Sequence, residues 1–412
     1  MSTTVKGSGL TLFHTDDEGE PTTSMKHRRT RAERRRSLGI GLLAGSVLIA
    51  LTLAVVPSPY VVEQPGPWFD TLGYVTVHTP TSSTGGDQAN ADGTTPEPAK
   101  TKVPLITIAG APTFPTTGQL DLLTVSVLGN PDNLPSWLDI AGAWFDPSKA
   151  VVPAGAIFPA NETQQQRETV NTTLMIDSQQ DAIAAALTHL GYDVITGIEI
   201  AGFTDNSPAN GALQHGDVIT AFAGTNVRSV QQLRDAVAVT GVGNPATVSF
   251  LRQGQPMHAS VTPVDSGGTA VVGIGAKAKY NFPFDVTIRL DAVGGPSAGT
   301  MFALGIIDKL TAGDIAGGAH IAGTGTIDSA GVVGPIGGIR QKLYGAKAAG
   351  ATVFLAPASN CDQVVGHVPS GLDVYAIRTL QDALNVLDFI KIHGNAAGEL
   401  NSQTSALPTC QN

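Results

Sequence analysis

The chain has 412 residues, 42% of them hydrophobic and 14% charged, with 48 glycines, 26 prolines and a formal net charge of −10. That length holds two or three domains, and the composition is that of a turn-rich globular protein, not a disordered or collagen-like one. The only basic excess is at the start, where residues 1–37 carry eight Lys/Arg against five Asp/Glu. The acidic remainder offers no surface suited to nucleic acid, which is excluded as a partner.

Residues 1–37 read as a cytoplasmic basic tail that ends in the run Lys26–Arg36. Leu38–Val56 is the longest uncharged apolar run, and its 19 residues are enough to cross a bilayer. With the arginines on its N-terminal side, the positive-inside tendency predicts a single transmembrane helix over 38–57 and an extracytoplasmic remainder, which implies a single-pass protein of the cell membrane. Residues 58–180 form a connecting region. Its prolines at 57, 59, 65 and 67 keep the start extended, and Thr, Ser, Gly and Asp make 81–102 a flexible insertion. Val103–Ala109 and Leu123–Val127 have strand composition, whereas 130–175 shows no regular pattern. Ser178 caps a helix that runs to Leu190.

A compact module occupies 181–265. Gly197–Ala201 is a strand, Asn206–Ala209 a turn, and Leu213–Ile219 a second turn entering a strand. Ser229–Gln232 has capping-box form and opens a helix, and the strands Ala246–Arg252 and Met257–Thr262 close the module. A further domain fills 268–392, starting with strands at Ala270–Ala276 and Phe284–Asp291. Gly294-Gly-Pro-Ser-Ala-Gly299 is then a glycine-rich turn running into a helix, with Pro296 at a first helical position and Met301, Leu304, Ile307 and Leu310 at helical spacing. Ser297 and the N–H of Ala298 thereby fall at the positive end of a helix, a place suited to stabilising an oxyanion. His320–Ile327 is a strand with Thr324 near its middle. A second Gly-Gly turn opens a helix over Gly338–Gly350, where Lys342 and Lys347 flank the apolar face of Ile339, Leu343 and Ala346 equally well.

A serine hydroxyl attacks a carbonyl only once a base takes its proton, and a lysine is that base only when neutral, a form that burial favours. Periodicity leaves Lys342 and Lys347 both open for the role. A helix cap and a solvated lysine are the ordinary uses of these residue types. Thr352–Ala356 is a strand, Leu380–Ile390 the last helix, and 393–412 a polar tail. Cys361 and Cys410 are an even pair on the side expected to be oxidising, and so are expected to bridge. Neither has the spacing of a metal ligand set, no HExxH occurs and no GxxxxGK[ST] occurs, so no metal, nucleotide or other cofactor is called for.

Three motifs in order, Gly295-Pro-Ser-Ala-Gly299, Thr324-Gly-Thr-Ile-Asp328 and Gly331-Val-Val-Gly-Pro-Ile-Gly-Gly-Ile-Arg-Gln-Lys342, resemble the proteolytic domain of Lon-type serine proteases over about Gly273–Leu387. The resemblance implies Ser297 as nucleophile, Lys342 rather than Lys347 as general base, and Thr324 as a hydroxyl that holds the amine. It also implies an α/β domain of mixed strands with helices on one side, and assembly into a homo-oligomeric ring. Many Lon enzymes have an aspartate three residues before the serine, where this chain has Gly294.

The module at 181–265 resembles a bacterial, protease-associated PDZ domain on Ser207-Pro-Ala, Leu213, Gly216-Asp-Val-Ile and Arg252-Gln-Gly. Such domains bind an extended peptide, often a C-terminus, by adding it as a strand. Gly191, Tyr192, Asp193 and Val194 lie where the resemblance puts a carboxylate-binding loop. The whole chain resembles the bacterial PDZ-containing Lon-like membrane proteases. The expected protein is an α/β (α+β) membrane-anchored, ATP-independent serine endopeptidase that hydrolyses flexible or unfolded polypeptides selected by the PDZ domain. The rival expectation is a catalytically silent peptide-binding scaffold that keeps a degenerate protease domain.

Overall fold

The computed structural model describes residues 31–78, 100–159, 162–290, 293–394 and 407–410. The expectations for residues 1–30, for most of the 81–102 insertion and for most of the 393–412 tail lie outside these residues. Two units are separate, one ending at Val55 and the other starting at Val56.

The first unit is helix α1 (Arg31–Val55). The arginines at 31, 34, 35 and 36 belong to its first turns, and its uncharged part is diluted by Gly39, Gly41, Gly45, Ser46 and Thr52. Among the described residues no helix is long and apolar enough to cross a membrane. The transmembrane helix expected at Leu38–Val56, and the single-pass membrane localisation drawn from it, are therefore corrected. The helix that holds this run also holds Arg31, Glu33, Arg34, Arg35 and Arg36, so apolar and charged residues share one element.

The second unit begins with β1 (Tyr60–Asp70), β2 (Tyr74–His78), β3 (Lys100–Pro104), β4 (Ile106–Ala109) and β5 (Gln119–Leu128). It continues with α2 (Trp137–Trp144), β6 (Ala150–Pro153), the short α3 (Ala154–Ile157) and the long α4 (Gln164–His189). The stretch that lacked a pattern in sequence is thus largely ordered. Thr163 and Gln166 form a capping box at the start of α4, so the helix read from Ser178 begins more than three turns earlier and Ser178 sits inside it.

A module follows that consists of β7 (Ile195–Phe203), β8 (Val218–Phe222), β9 (Thr225–Asn226), α5 (Val230–Thr240), β10 (Ala246–Arg252), β11 (Gln255–Val261), β12 (Val264–Ser266), β13 (Thr269–Val271) and β14 (Ile274–Tyr280). The chain then resumes with β15 (Asp285–Ile288), α6 (Gly299–Leu310), β16 (His320–Gly323), β17 (Thr326–Ile327), β18 (Val333–Gly334), α7 (Ile339–Ala349), β19 (Val353–Pro357), α8 (Cys361–Val364), β20 (Asp373–Ile377) and α9 (Leu380–His393).

The main sheet has the order β20-β19-β16-β5-β1-β6. β16 runs parallel to both β5 and β19, and β19 runs parallel to β20, whereas β5, β1 and β6 are antiparallel. Half of this mixed sheet therefore comes from residues 60–153, the region read as a connection. Its central strands are apolar on both sides, as a sheet covered on both faces requires. Leu122, Ile321 and Leu355 point into the core shared with α4, α6 and α9, and their neighbours Leu123, Ala322 and Ala356 point to the opposite face, against Ile339, Leu343 and Ala346 of α7. Helices thus lie on both faces, not one.

The module has its own sheet, β11-β10-β8-β7-β14, and its own core around Ile198, Phe222, Leu233 and Phe250. It is an insertion between α4 and β15. The outgoing and returning chains meet at a neck where the Asn281 N–H bonds to Val194 O at 2.9 Å. The strand expected at Ala270–Ala276 as the first of the following domain is divided between β13 and β14, and β14 extends the module's sheet alongside β7, from Ile274 opposite Phe203 to Tyr280 opposite Ile195.

Cys361 and Cys410 are joined by a disulfide with Cα atoms 5.0 Å apart. Beside it the Ala376 N–H bonds to Pro408 O at 2.8 Å, so residues 407–410 lie along β20. The bridge closes a span of 49 residues, which in the chain-entropy account is worth roughly 2–4 kcal/mol. The double variant Cys361→Ser/Cys410→Ser is expected to lose about that much in denaturant unfolding and to expose residues 407–410 to proteolysis. An unchanged midpoint would show that the bridge does not constrain the unfolded chain.

Candidate active site

Ser297, Thr324 and Lys342 come from three segments that converge at the C-terminal end of β16. α6 approaches from one face of the sheet and α7 from the other. α6 starts at Gly299, with Ala298 as its cap residue, so Ser297 lies just before the helix and Pro296 is not its first residue. Ser297 is half-buried. Its carbonyl accepts from the Gly325 N–H at 2.9 Å and from the Thr324 hydroxyl at 2.9 Å, which fixes the serine against the end of β16.

Lys342 is only 2% exposed. Its Nζ lies 2.8 Å from Ser297 Oγ and 2.9 Å from Thr324 Oγ1. Thr324 has one proton and gives it to Ser297 O, so towards the amine it can only accept. Burial pushes the Lys342 amine down from 10.5 to about 7, and no neighbouring carboxylate opposes that shift. A neutral amine gives one N–H to Thr324 and turns its lone pair to the serine hydroxyl. Lys347 is exposed and its Nζ bonds to Gly371 O at 3.1 Å, away from the serine.

Glycines make the convergence possible. A Cβ on Gly323 would fall 2.5 Å from Met301 Sδ, and one on Gly338 would fall 2.6 Å from Val125 Cγ2. Gly338 also holds φ +67° at the start of α7, a backbone that favours glycine. Gly294 stands in for the aspartate of many Lon enzymes for a visible reason: a Cβ there would lie 2.8 Å from Asn171 Cβ on α4. Three supporting residues went unnoticed in the sequence. Ser178 donates to Pro296 O at 3.0 Å, Asn171 O accepts from the Gly295 N–H at 3.1 Å, and Asn360 bonds both N–H and O of Ile336 at 2.9 Å, holding the loop before α7. No spacing rule reveals them, because each acts on the backbone of a segment distant in sequence. His320 pairs with Asp121 at 2.6 Å, but at the start of β16, the end away from Ser297.

Comparison with known proteins identifies two domains. Residues 290–389 match the model of the Lon protease (S16) C-terminal proteolytic domain, and residues 169–262 match that of the PDZ domain. The chain carries a Lon-type proteolytic domain and a PDZ domain. Lon protease 1 of Sorangium cellulosum is 40% identical over 93 residues, covering 22% of this chain and 11% of that protein. Lon protease 2 of Bacillus subtilis is 33% identical over 105 residues, covering 26% and 18%. The chain thus spans well under a quarter of the length of these two curated relatives. Among solved structures, the PDZ domain of an SdrC-like protein from Listeria monocytogenes is 24% identical over 21% of this chain and 92% of that one, with a TM-score of 0.20.

In the PDZ domain, Gly191, Tyr192, Asp193 and Val194 do not line a groove. They are the exit from α4 into the neck. Val194 is fully buried in the main core, Tyr192 packs edge-on against Phe284 with ring centres 5.5 Å apart, and Asp193 forms an exposed ion pair with Arg228. The open edge of the module's sheet is elsewhere. β14 ends the sheet, its outer edge carries no strand among the described residues, and a cavity of about 810 Å³ separates Ala270–Ala276 from Val230, Leu233, Arg234 and Val237 of α5.

A lysine amine held near pH 7 by burial weakens the folded state wherever the unfolded chain would bind a proton and the folded one does not. Stability contributed by this site therefore rises as pH goes from about 7 towards 10.5. Lys342→Met is expected to raise stability by roughly 2–4 kcal/mol at neutral pH, less at pH 10, as read by urea unfolding. A destabilised Lys342→Met at pH 7 would show that the amine is not under a burial penalty.

Proposed function

We propose that the chain is a serine endopeptidase in which Ser297 is the nucleophile and Lys342 the general base. One observation carries this reading: a buried lysine amine, lowered to about 7 by burial, lies 2.8 Å from a serine hydroxyl at the start of a helix. Lys342 takes the Ser297 proton as Oγ attacks the scissile carbonyl. The N–H groups of Ser297 and Ala298, at the positive end of α6, face the developing oxyanion. The ammonium then returns its proton to the leaving amine, and the freed amine activates the water that hydrolyses the acyl-enzyme. Thr324 keeps the amine aimed throughout.

Substrates are flexible or unfolded polypeptide segments, delivered along the β14 edge of the PDZ domain, and cleavage needs no ATP. Assembly into a homo-oligomer belongs to the same proposal and is read by sedimentation velocity.

The test is degradation of casein by the purified protein without nucleotide. Ser297→Ala and Lys342→Ala are each expected to lower the rate by 10³-fold or more, on the order of the whole catalytic unit, and Lys347→Ala to stay within about two-fold of the parent. Equal cleavage by the parent and Ser297→Ala would sink the assignment. Because the base works only when neutral, kcat is expected to rise through pH 7 and level off above pH 8. A rate that falls over that interval would exclude Lys342 as base.

A further inference from the structure

The cavity beside β14 does not end within the PDZ domain. A second cavity, of about 860 Å³, shares Val230, Arg234 and Ala276 with it and continues along Lys277–Tyr280. Its far wall is the protease: Asp181 of α4 and the segment Thr326–Ser329. Thr326 follows Gly325, the residue whose N–H holds Ser297 O. The groove of the PDZ domain therefore reaches the segment that follows Gly325, although Ser297 itself lines neither cavity.

Direction follows from the sheet. Every pairing in it is antiparallel, and a strand added to the free edge of β14 in the same sense would have its C-terminal end at Ile274 and its upstream part at Tyr280. At the Ile274 end the chain turns tightly through Gly273, with φ +68°, the kind of backbone that offers N–H groups to a carboxylate. Arg234, exposed on α5 and without an ion-pair partner among the described residues, lines both cavities where they meet beside Ala276, two residues from Ile274, and adds positive charge there, while Asp205 lines the Ile274 side. At the Tyr280 end the two domains are fixed to each other. The Tyr280 hydroxyl donates to the half-buried Asp181 carboxylate, its ring stacks on Phe282 with centres 5.5 Å apart, and the neck bond between Asn281 and Val194 lies one residue further on.

We propose that one polypeptide fills both cavities at once, with its C-terminal segment paired to β14 and the chain upstream of it lying across Ser297, so that cleavage falls at a set distance from the substrate's C-terminus. This rests on the peptidase reading above and goes beyond it, since a peptidase with an independent PDZ domain would cut wherever the chain happened to reach. The seven residues of β14 run along both cavities and account for about 24 Å of extended chain at ~3.4 Å each, and the stretch beyond the Tyr280 end past Thr326 adds a few more, which puts the first cut about eight to twelve residues from the end.

The experiment uses unstructured 24-residue peptides of repeating sequence, about twice the expected spacing, so that local side chains do not choose the bond. The purified protein is given the free acid, the C-terminal amide, and versions lengthened by three residues at either end, and the first products are mapped by mass spectrometry. The first cut is expected to keep its distance from the C-terminus, moving with C-terminal and not with N-terminal extension. Amidation is expected to raise KM at least ten-fold with kcat within about two-fold, and Arg234→Ala to abolish the difference between acid and amide. Cuts scattered along the chain, or equal KM for acid and amide, overturn the proposal and leave the peptidase standing. A parent protein that cleaves none of the peptides, or no more than Ser297→Ala does, overturns the peptidase reading and this proposal together.

Discussion

Taking a lysine amine out of water is the constraint around which the catalytic part of this chain is arranged. A buried ammonium without a counter-charge costs several kcal/mol, and the group answers by losing its proton. Here burial is the one cause of the shift that brings Lys342 to about 7. A carboxylate beside the amine would stabilise the ammonium and work against the neutral form. The partners supplied are two hydroxyls, Ser297 and Thr324, which satisfy the amine without charging it. Gly294, with Asn171 packed against it, keeps the turn before the serine free of an acid as well.

Meeting that constraint requires elements from both faces of one sheet to reach the same strand end. α6 brings Ser297 from the side of the large core and α7 brings Lys342 from the other, and they meet where β16 ends in Gly323, Thr324 and Gly325. The approach is tight enough that side chains at Gly323 and Gly338 would collide with Met301 and Val125. Each flanking segment is then tied by a backbone bond from a distant residue: Ser178 on the turn before the serine, Asn360 on the loop before the lysine helix. The sheet itself needs β1, β5 and β6 to flank β16, so the fold of the catalytic part draws on residues 60–153 as much as on residues 320–377.

What could be read in the sequence follows from how local each signal is. The two Gly-Gly turns and the threonine between them announce backbone geometry within a few residues, and the motifs placed Ser297, Thr324 and Lys342 on segments that do converge. Helical periodicity could not separate Lys342 from Lys347, because both flank the same apolar face. What separates them is the C-terminal end of β16, which only Lys342 reaches. The pairing of β5 with β16 joins residues about 200 apart, Asp121 and His320 among them, and leaves no trace in either strand beyond its apolar content. α4 was announced by a capping box at Thr163 but overlooked, since its exposed half is polar and shows no stripe. Leu38–Val56 has the composition of a membrane span in the sequence, yet no described helix is long and apolar enough to cross a membrane.

The insertion gives the PDZ domain a different mechanical relation to the protease from that of a domain on a tether. A domain at the end of one flexible linker only raises local concentration and can present a bound chain in any register. Here two chain crossings, the Asn281–Val194 bond and the Tyr280–Asp181 contact hold the β14 edge at one place relative to Thr326. Strand addition also imposes a selection of its own. Only chain whose backbone N–H and C=O groups are not already paired can add to an edge, so a folded C-terminus is refused and an extended one is accepted without any work being done on it. On the proposed reading, discrimination between folded and unfolded substrate is a property of the groove, and the lysine-activated serine acts on whatever that groove admits.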